Sequence, residues 1–228
     1  IQFNGSFNSI NLVVENLSYP NLDEYVLYGG INLINSKNII KKTLISNSSS
    51  EDAINIIDSE SYIDELFIKN SFSDGIDVDS GILTFGKIYC QNITNDCLDV
   101  SGVELNGNLL VVKNAGDKGF SAGEKSLGKI KTIEVIDSEI GVAVKDSSKI
   151  EVNELALKNV KLDIAVFNKK LEFEGSTLKI NQTEKDYNYL VGEKNELEIS
   201  NYKITNKLKN EIIINKLYGN EYGSKTIR

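Results

Sequence analysis

The chain has no histidine, no methionine, no tryptophan and a single proline, Pro20. Without histidine there is no Ser-His-Asp or Cys-His catalytic unit and no His-ligated zinc within these 228 residues. A chain that begins at Ile1 and has no methionine reads as a piece of a longer translation product. Two cysteines are too few for a disulfide framework or a four-ligand metal site. Cys90 and Cys97 read first as two buried strand thiols, with one bridge across a short loop as the alternative. Positive charge is also scarce. Against 33 acidic residues there are 25 Lys and Arg, a net charge of −8 that argues against nucleic acid or an anionic membrane surface as main partner. No apolar run is long enough to insert in a bilayer, and no signal-peptide pattern is present.

What is present is a repeat. Aligning SEDAINIID, SDGIDVDSG and NDCLDVSG places Ile54, Ile76 and Leu98 in one column at a step of 22, and the same step reaches Phe120, Val142 and Ile164. Two residues on, Ile56, Val78, Val100, Ala122, Val144 and Val166 form another apolar column. Between them stand Asn55, Asp77, Asp99, Ser121, Ala143 and Ala165, small or polar. Apolar-polar-apolar is the period of a strand with one buried face. A second strand recurs as LFIKN, IYCQN, LVVKN, IEVID and LALKN, ending in Asn70, Asn92, Asn114, Asp137 and Asn159. One residue is inserted in the fourth turn, near Lys125 to Lys129. The Asn column reads as a corner ladder, with side-chain amides bonding along the stack and tolerating tight-turn dihedrals.

A period near 22, at least two short strands per unit and no helical periodicity predict an all-β fold: a single-stranded right-handed parallel β-helix, with caps at both ends. Residues 1–28 keep strand character but lose the register and read as an N-terminal cap or irregular coil; 29–182 are regular coils; 183–228 are final coils and a C-terminal cap. With no linker, one domain is expected.

Charge concentrates on the first strand of each coil. Asp52, Asp74 and Asp96 share a column that Lys118 completes, and Asp77 stacks beside Asp99. Carboxylates about 4.8 Å apart must share a proton, bind a cation or stay solvated. Three readings compete. In the first, the Asp residues bond turn backbone and Lys118 neutralises the stack. In the second, the face is a glycan or cation groove, with Asp77, Asp99, Ser121, Glu124, Lys125 and Asp146 as ligand-binding candidates. Calcium would suit the hard oxygens of Asp74, Asp77, Asp96 and Asp99; no other cofactor is indicated. In the third, Asp74, Asp96, Lys118 and Lys145 act on a polysaccharide as hydrolase or lyase. Tyr25, Tyr28, Tyr62, Phe72 and Tyr89, the aromatics that could stack on sugars, are dispersed and read as cap or core residues.

The catalytic reading has a comparison. Pectin-degrading β-helix glycosidases carry NTD, DD, GHG and RIK motifs on successive coils, and this chain resembles them in architecture. Here Ser73-Asp74-Gly75, Asn95-Asp96-Cys97, Asp117-Lys118-Gly119 and Ala143-Val144-Lys145 stand in similar places. Asp74, Asp96 and Lys145 match, while Asn95, Lys118 and Ala143 replace an Asp, a His and an Arg.

A closer resemblance runs from about 29 to 175. GGINLINS, SEDAINII, SDGIDVD, NDCLDVSG, NAGDKGFSAGEKS, GVAVKDSS and IAVFNKKLEF resemble the right-handed β-helix region of bacterial CotH-type proteins, where it follows a domain related to spore-coat kinases. No motif of the kinase-like domain is present. The resemblance implies an extracellular or cell-envelope protein whose β-helix is a binding or scaffolding module. The expected partners are a polysaccharide or other domains of the same surface protein. A polysaccharide-active enzyme and a structural spacer of a fibre or appendage are the alternatives.

Overall fold

The structure, a computed structural model, describes residues 1–18, 27–183, 186–219 and 221–222. Fifteen strands and one helix follow in order: β1 Gln2–Ser9, β2 Leu12–Glu15, β3 Gly29–Ser48, β4 Asp52–Ser71, β5 Asp74–Ile93, β6 Leu98–Ala115, β7 Lys118–Gly123, β8 Leu127–Ile136, β9 Ile140–Lys145, β10 Lys149–Lys158, β11 Leu162–Phe167, β12 Thr177–Thr183, β13 Tyr189–Val191, β14 Glu196–Ile199, β15 Tyr202–Lys203, and α1 Asn210–Leu217. The long strands are not straight. Each bends through most of a coil and pairs in parallel with the coil before and after it, giving a β-solenoid of about 8 turns with about 22 residues per turn.

Each coil has three legs, seen in β5 as Asp74–Asp79, Gly81–Phe85 and Lys87–Gln91, broken where the ladder skips a residue. Two of them are the repeated strands of the sequence. The first-leg column Ile54, Ile76, Leu98, Phe120, Val142, Ile164 is at most 1% exposed. The third-leg columns beginning at Leu66 and Ile68 are buried as well. Full burial of each such side chain contributes about 1.5–3 kcal/mol, and the stack repeats it coil after coil. The ladder uses nearly every backbone N–H, which is why proline is excluded from it.

The Asn corner forms as the sequence implies. Asn47, Asn70, Asn92, Asn114, Asp137 and Asn159 all have φ between 53° and 62°. Each amide donates to the side-chain oxygen one coil back, Asn70 to Asn47 at 2.9 Å and Asn92 to Asn70, Asn114 to Asn92 and Asn159 to Asp137 at 3.0 Å. The inserted residue falls between Gly123 and Leu127, where Glu124 and Lys125 both take left-handed φ of 55° and 69°.

Three features differ from the sequence reading. Cys90 and Cys97 are not free thiols but a disulfide, with Cα atoms 5.9 Å apart. Cys90 ends a third leg and Cys97 precedes the next first leg, so both side chains turn into the same corner; Gly75, stacked under Cys97, leaves them room. The N-terminal stretch holds its stacking: β1 and β2 pair with β3 at a step of 31 residues, so that coil is longer rather than out of register. Finally, the C-terminal segment contains a helix. Ile213 and Leu217 of α1 pack on Ile140, Ala143, Leu162, Ala165 and Phe167, the outward side of the first legs β9 and β11.

Candidate functional site

The outward face of the first legs gathers most of the candidate residues. Parallel register stacks Asp52, Asp74 and Asp96, then Asn55, Asp77, Asp99 and Ser121 beside them. Lys145 follows Gly123 in the next column and reaches back up the face to Ser121. On the lower coils the same face turns apolar and lies under α1, whose C-cap residue Tyr218 sits against Phe167 with its ring 5.9 Å from the Lys118 ammonium.

The carboxylates of the first column are tied to backbone. Asp74 Oδ1 accepts the N–H of Asp96 at 2.8 Å and the Asn95 amide at 2.6 Å. Asp96 Oδ1 accepts the N–H of Lys118 at 2.9 Å. Asp52 Oδ2 accepts the Asn55 amide at 2.9 Å, and that amide also reaches Asp77 at 3.4 Å. Each of Asp74 and Asp96 therefore bridges its own coil to the next.

The lysines are as fully engaged. Lys118, 4% exposed, donates to Asp117 at 2.5 Å and lies 3.4 Å from both oxygens of Asp96. Lys145, 6% exposed, donates to Ser121 Oγ at 2.8 Å and pairs with Asp99 at 3.6 Å. Burial opposes both charges, but Asp96 and Asp117 hold Lys118 well above the ordinary lysine range, and Asp99 raises Lys145. Ser121 and Lys145 have the spacing of a Ser-Lys dyad without its chemistry. The base would have to be a neutral amine, and Asp99 keeps it protonated, while Ser121 is wholly buried.

On the upper coils, where among the described residues no lysine side chain pairs with them, the carboxylates are raised above their ordinary range. Burial, with the charges of Asp96 and Asp99, pushes Asp74 up to about 8. Burial and Asp99 push Asp77 to about 9, and burial and Asp74 push Asp52 to about 7. Asp96 is buried too, yet Lys118 pulls it back to about 6. For Asp99 burial is outweighed by Lys145 and Lys118, and it ends below the ordinary carboxylate value.

Glu124, Lys125 and Asp146 stand apart at the corner after the first leg. Glu124 pairs with Lys170, Lys125 lies over Phe173, and Asp146 accepts the N–H groups of Lys169 at 2.7 Å and Lys170 at 2.9 Å. All three fasten the segment after β11. Among the described residues no three acidic side chains converge as a metal cage would. Two surface grooves, of about 250 and 290 Å³, lie on other faces, beside Asn106, Lys129 and Asn153 and beside Glu196 and Lys203.

Sequence reasoning missed Tyr218, whose place over Lys118 depends on a helix that the strand period gives no reason to expect. Of the aromatics read as cap or core, Tyr28 in the N-terminal stretch is 50% exposed, Tyr62 and Phe72 on the coils are not core but 47% and 58% exposed, and Tyr89 is half-buried on the outward side of its third leg. Tyr25 lies outside the described residues. No protein-family model matches this sequence, and neither a curated protein nor a solved structure matches it.

Proposed function

We propose that this chain is a non-enzymatic, extracytoplasmic β-helix module that binds carbohydrate and serves as scaffold within a larger surface protein. One observation carries the non-enzymatic part: every group nominated for acid-base work already has a structural partner. Asp74 and Asp96 receive backbone N–H bonds from the following coil, and Lys118 and Lys145 are buried in ion pairs. A general acid or nucleophile needs an open approach to substrate, which the buried Asp96, Lys118 and Lys145 lack, while Asp74, half-buried, has Oδ1 occupied by two donors. The disulfide favours an oxidising compartment outside the cytoplasm. The resemblance of 29–175 to the β-helix of CotH-type proteins, which is finer than the shared solenoid, supports the same placement, with neighbouring domains of that surface protein and a polysaccharide as partners.

The test compares wild type with an Asp74→Asn/Asp96→Asn variant, because Asn keeps the oxygen that accepts the backbone bond but ends carboxylate chemistry. Binding and turnover are followed on acidic and neutral polysaccharides, with and without calcium. The expected outcome is binding by both proteins, turnover by neither, and no calcium dependence. Turnover by wild type that the variant loses would replace the module with an enzyme. Calcium-dependent binding lost in the variant would place a cation on the Asp columns.

A further inference from the structure

The third legs carry a surface that none of the first-leg residues contributes to. On β4 and β5 the outward positions are Glu65, Phe67 and Lys69, stacked on Lys87, Tyr89 and Gln91, and these on Leu109, Val111 and Lys113 of β6. Phe67 and Tyr89 therefore adjoin across one coil step, ring centroids 6.0 Å apart and tilted by 44°. Lys87 leans back over the Phe67 ring at 5.7 Å, and Lys113 over Tyr89 at 5.7 Å. Tyr89 Oη also reaches Gln91 at 3.3 Å, which fixes the ring from its far edge.

Two properties distinguish this strip from the first-leg face. Among the described residues Lys69, Lys87 and Lys113 enter no ion pair, whereas the lysines of the first-leg face are all neutralised. Two acids share this face: Glu65, stacked on Lys87, faces Lys42 at 3.9 Å, and Glu134 stacks below Val111 beside Lys113. In a chain with net charge −8, this strip thus carries three lysines outside any ion pair, two of them held against aromatic faces rather than extended into water. Cation-π contact lowers the entropy that these side chains lose when an anion arrives. Lys69 and Lys113 are two coils apart, about 9.6 Å along the axis at the usual strand spacing.

We infer that this strip is a binding site for a linear acidic polysaccharide lying along the solenoid axis. The C–H faces of successive sugars would pack on Phe67 and Tyr89, and their carboxylate or sulfate groups would meet Lys69, Lys87 and Lys113. Charge complementarity selects an anion, and the paired rings select a sugar over a simple polyanion. The inference rests on the carbohydrate-module reading above and locates its site away from the Asp columns.

The experiment measures affinity of the full chain for polygalacturonate, heparin, neutral dextran and poly-L-glutamate, the last matching the charge without the sugar. Two variants are compared, Lys69→Gln/Lys113→Gln and Phe67→Leu/Tyr89→Leu, both on outward positions and both checked by thermal melting. Tighter binding of at least one acidic polysaccharide than of dextran or polyglutamate is expected. The charge variant should lose that binding 10-fold or more. The leucine variant should lose it about 5-fold while leaving polyglutamate unchanged. Equal binding of polyglutamate with no effect of leucine would reduce the strip to a charge patch and overturn the site. Polysaccharide binding that survives both variants would also overturn it while leaving the carbohydrate module intact. Binding to none of the probes overturns the strip as a glycan site, and turnover of a bound glycan would count against the module alone.

Discussion

At the scale of single residues, the Asn corner shows how a left-handed backbone position and a side-chain bond reinforce one another. Asparagine tolerates φ near +57° because its short amide bonds locally, and here the amide also reaches the coil behind. The run has one defect. Asp137 accepts from Asn159 but has no amide hydrogen to donate to Asn114, so one step of the ladder lacks its rung. Asp137→Asn should supply it. The expected gain is about 0.5–1 kcal/mol, or about 1–3 °C in Tm, read by thermal denaturation of both proteins side by side. A lower melting temperature in the variant would mean that Asp137 is held by something other than the ladder.

At the scale of elements, the first and third legs were legible because their inward columns are apolar in every coil. The middle leg was not, since its inward column changes character along the stack. Asn38 and Ser61 fill it in the early coils, bonded to each other at 3.0 Å, then Leu83 and Leu105 take over, and Gly128 follows. Two residues further, Phe85 occupies the space that a side chain at Gly107 would need, a large-small exchange between neighbouring coils that no single-coil pattern displays. The helix α1 did leave a trace. β9 and β11, IGVAVK and LDIAVF, are buried on both faces, and near-continuous apolar strands imply cover on the outward side as well. What the strand period could not say is which segment provides the cover. Because α1 joins the solenoid through a small apolar cluster, the Asn210–Asn168 bonds and Tyr218, with no strand pairing of its own, it should detach on its own. In Ile213→Ala/Leu217→Ala, trypsin is expected to cut at Lys207 and Lys209 at least 10-fold faster than in wild type, with the coils still protected. Cooperative loss of the whole fold in that variant would show instead that α1 is integral to it.

At the scale of the molecule, the two faces divide the charge: the first legs bury carboxylates beside lysines, and the third legs display lysines to solvent. The buried side has a consequence for stability. Asp52, Asp74, Asp77, Asp79 and Asp96 are all raised above the ordinary 3.8 in the folded chain, Asp77 furthest, to about 9, with burial as the first cause throughout. Between about pH 4 and pH 9 the folded chain thus binds more protons at these sites than the unfolded chain, and stability falls as pH rises through that window. Lys118 and Lys145 do not oppose the trend. Their folded pKa values lie above 10.5, so the stability they contribute is complete throughout it and is lost only at higher pH. Asp99, lowered, acts below pH 4, where its contribution disappears on acidification. Unfolding free energies from urea titrations at pH 5, 7 and 9 should therefore decline steadily, by at least about 2 kcal/mol overall after allowing for screening of the less buried groups, and the midpoints with them. Asp77→Asn should remove mainly the upper part of that decline, since its proton is the last to leave. A midpoint that stays level or rises from pH 5 to pH 9 would mean that water or a cation neutralises the Asp columns in solution. The protein's acidity would then be a property of its surface, with no strain stored in the solenoid wall.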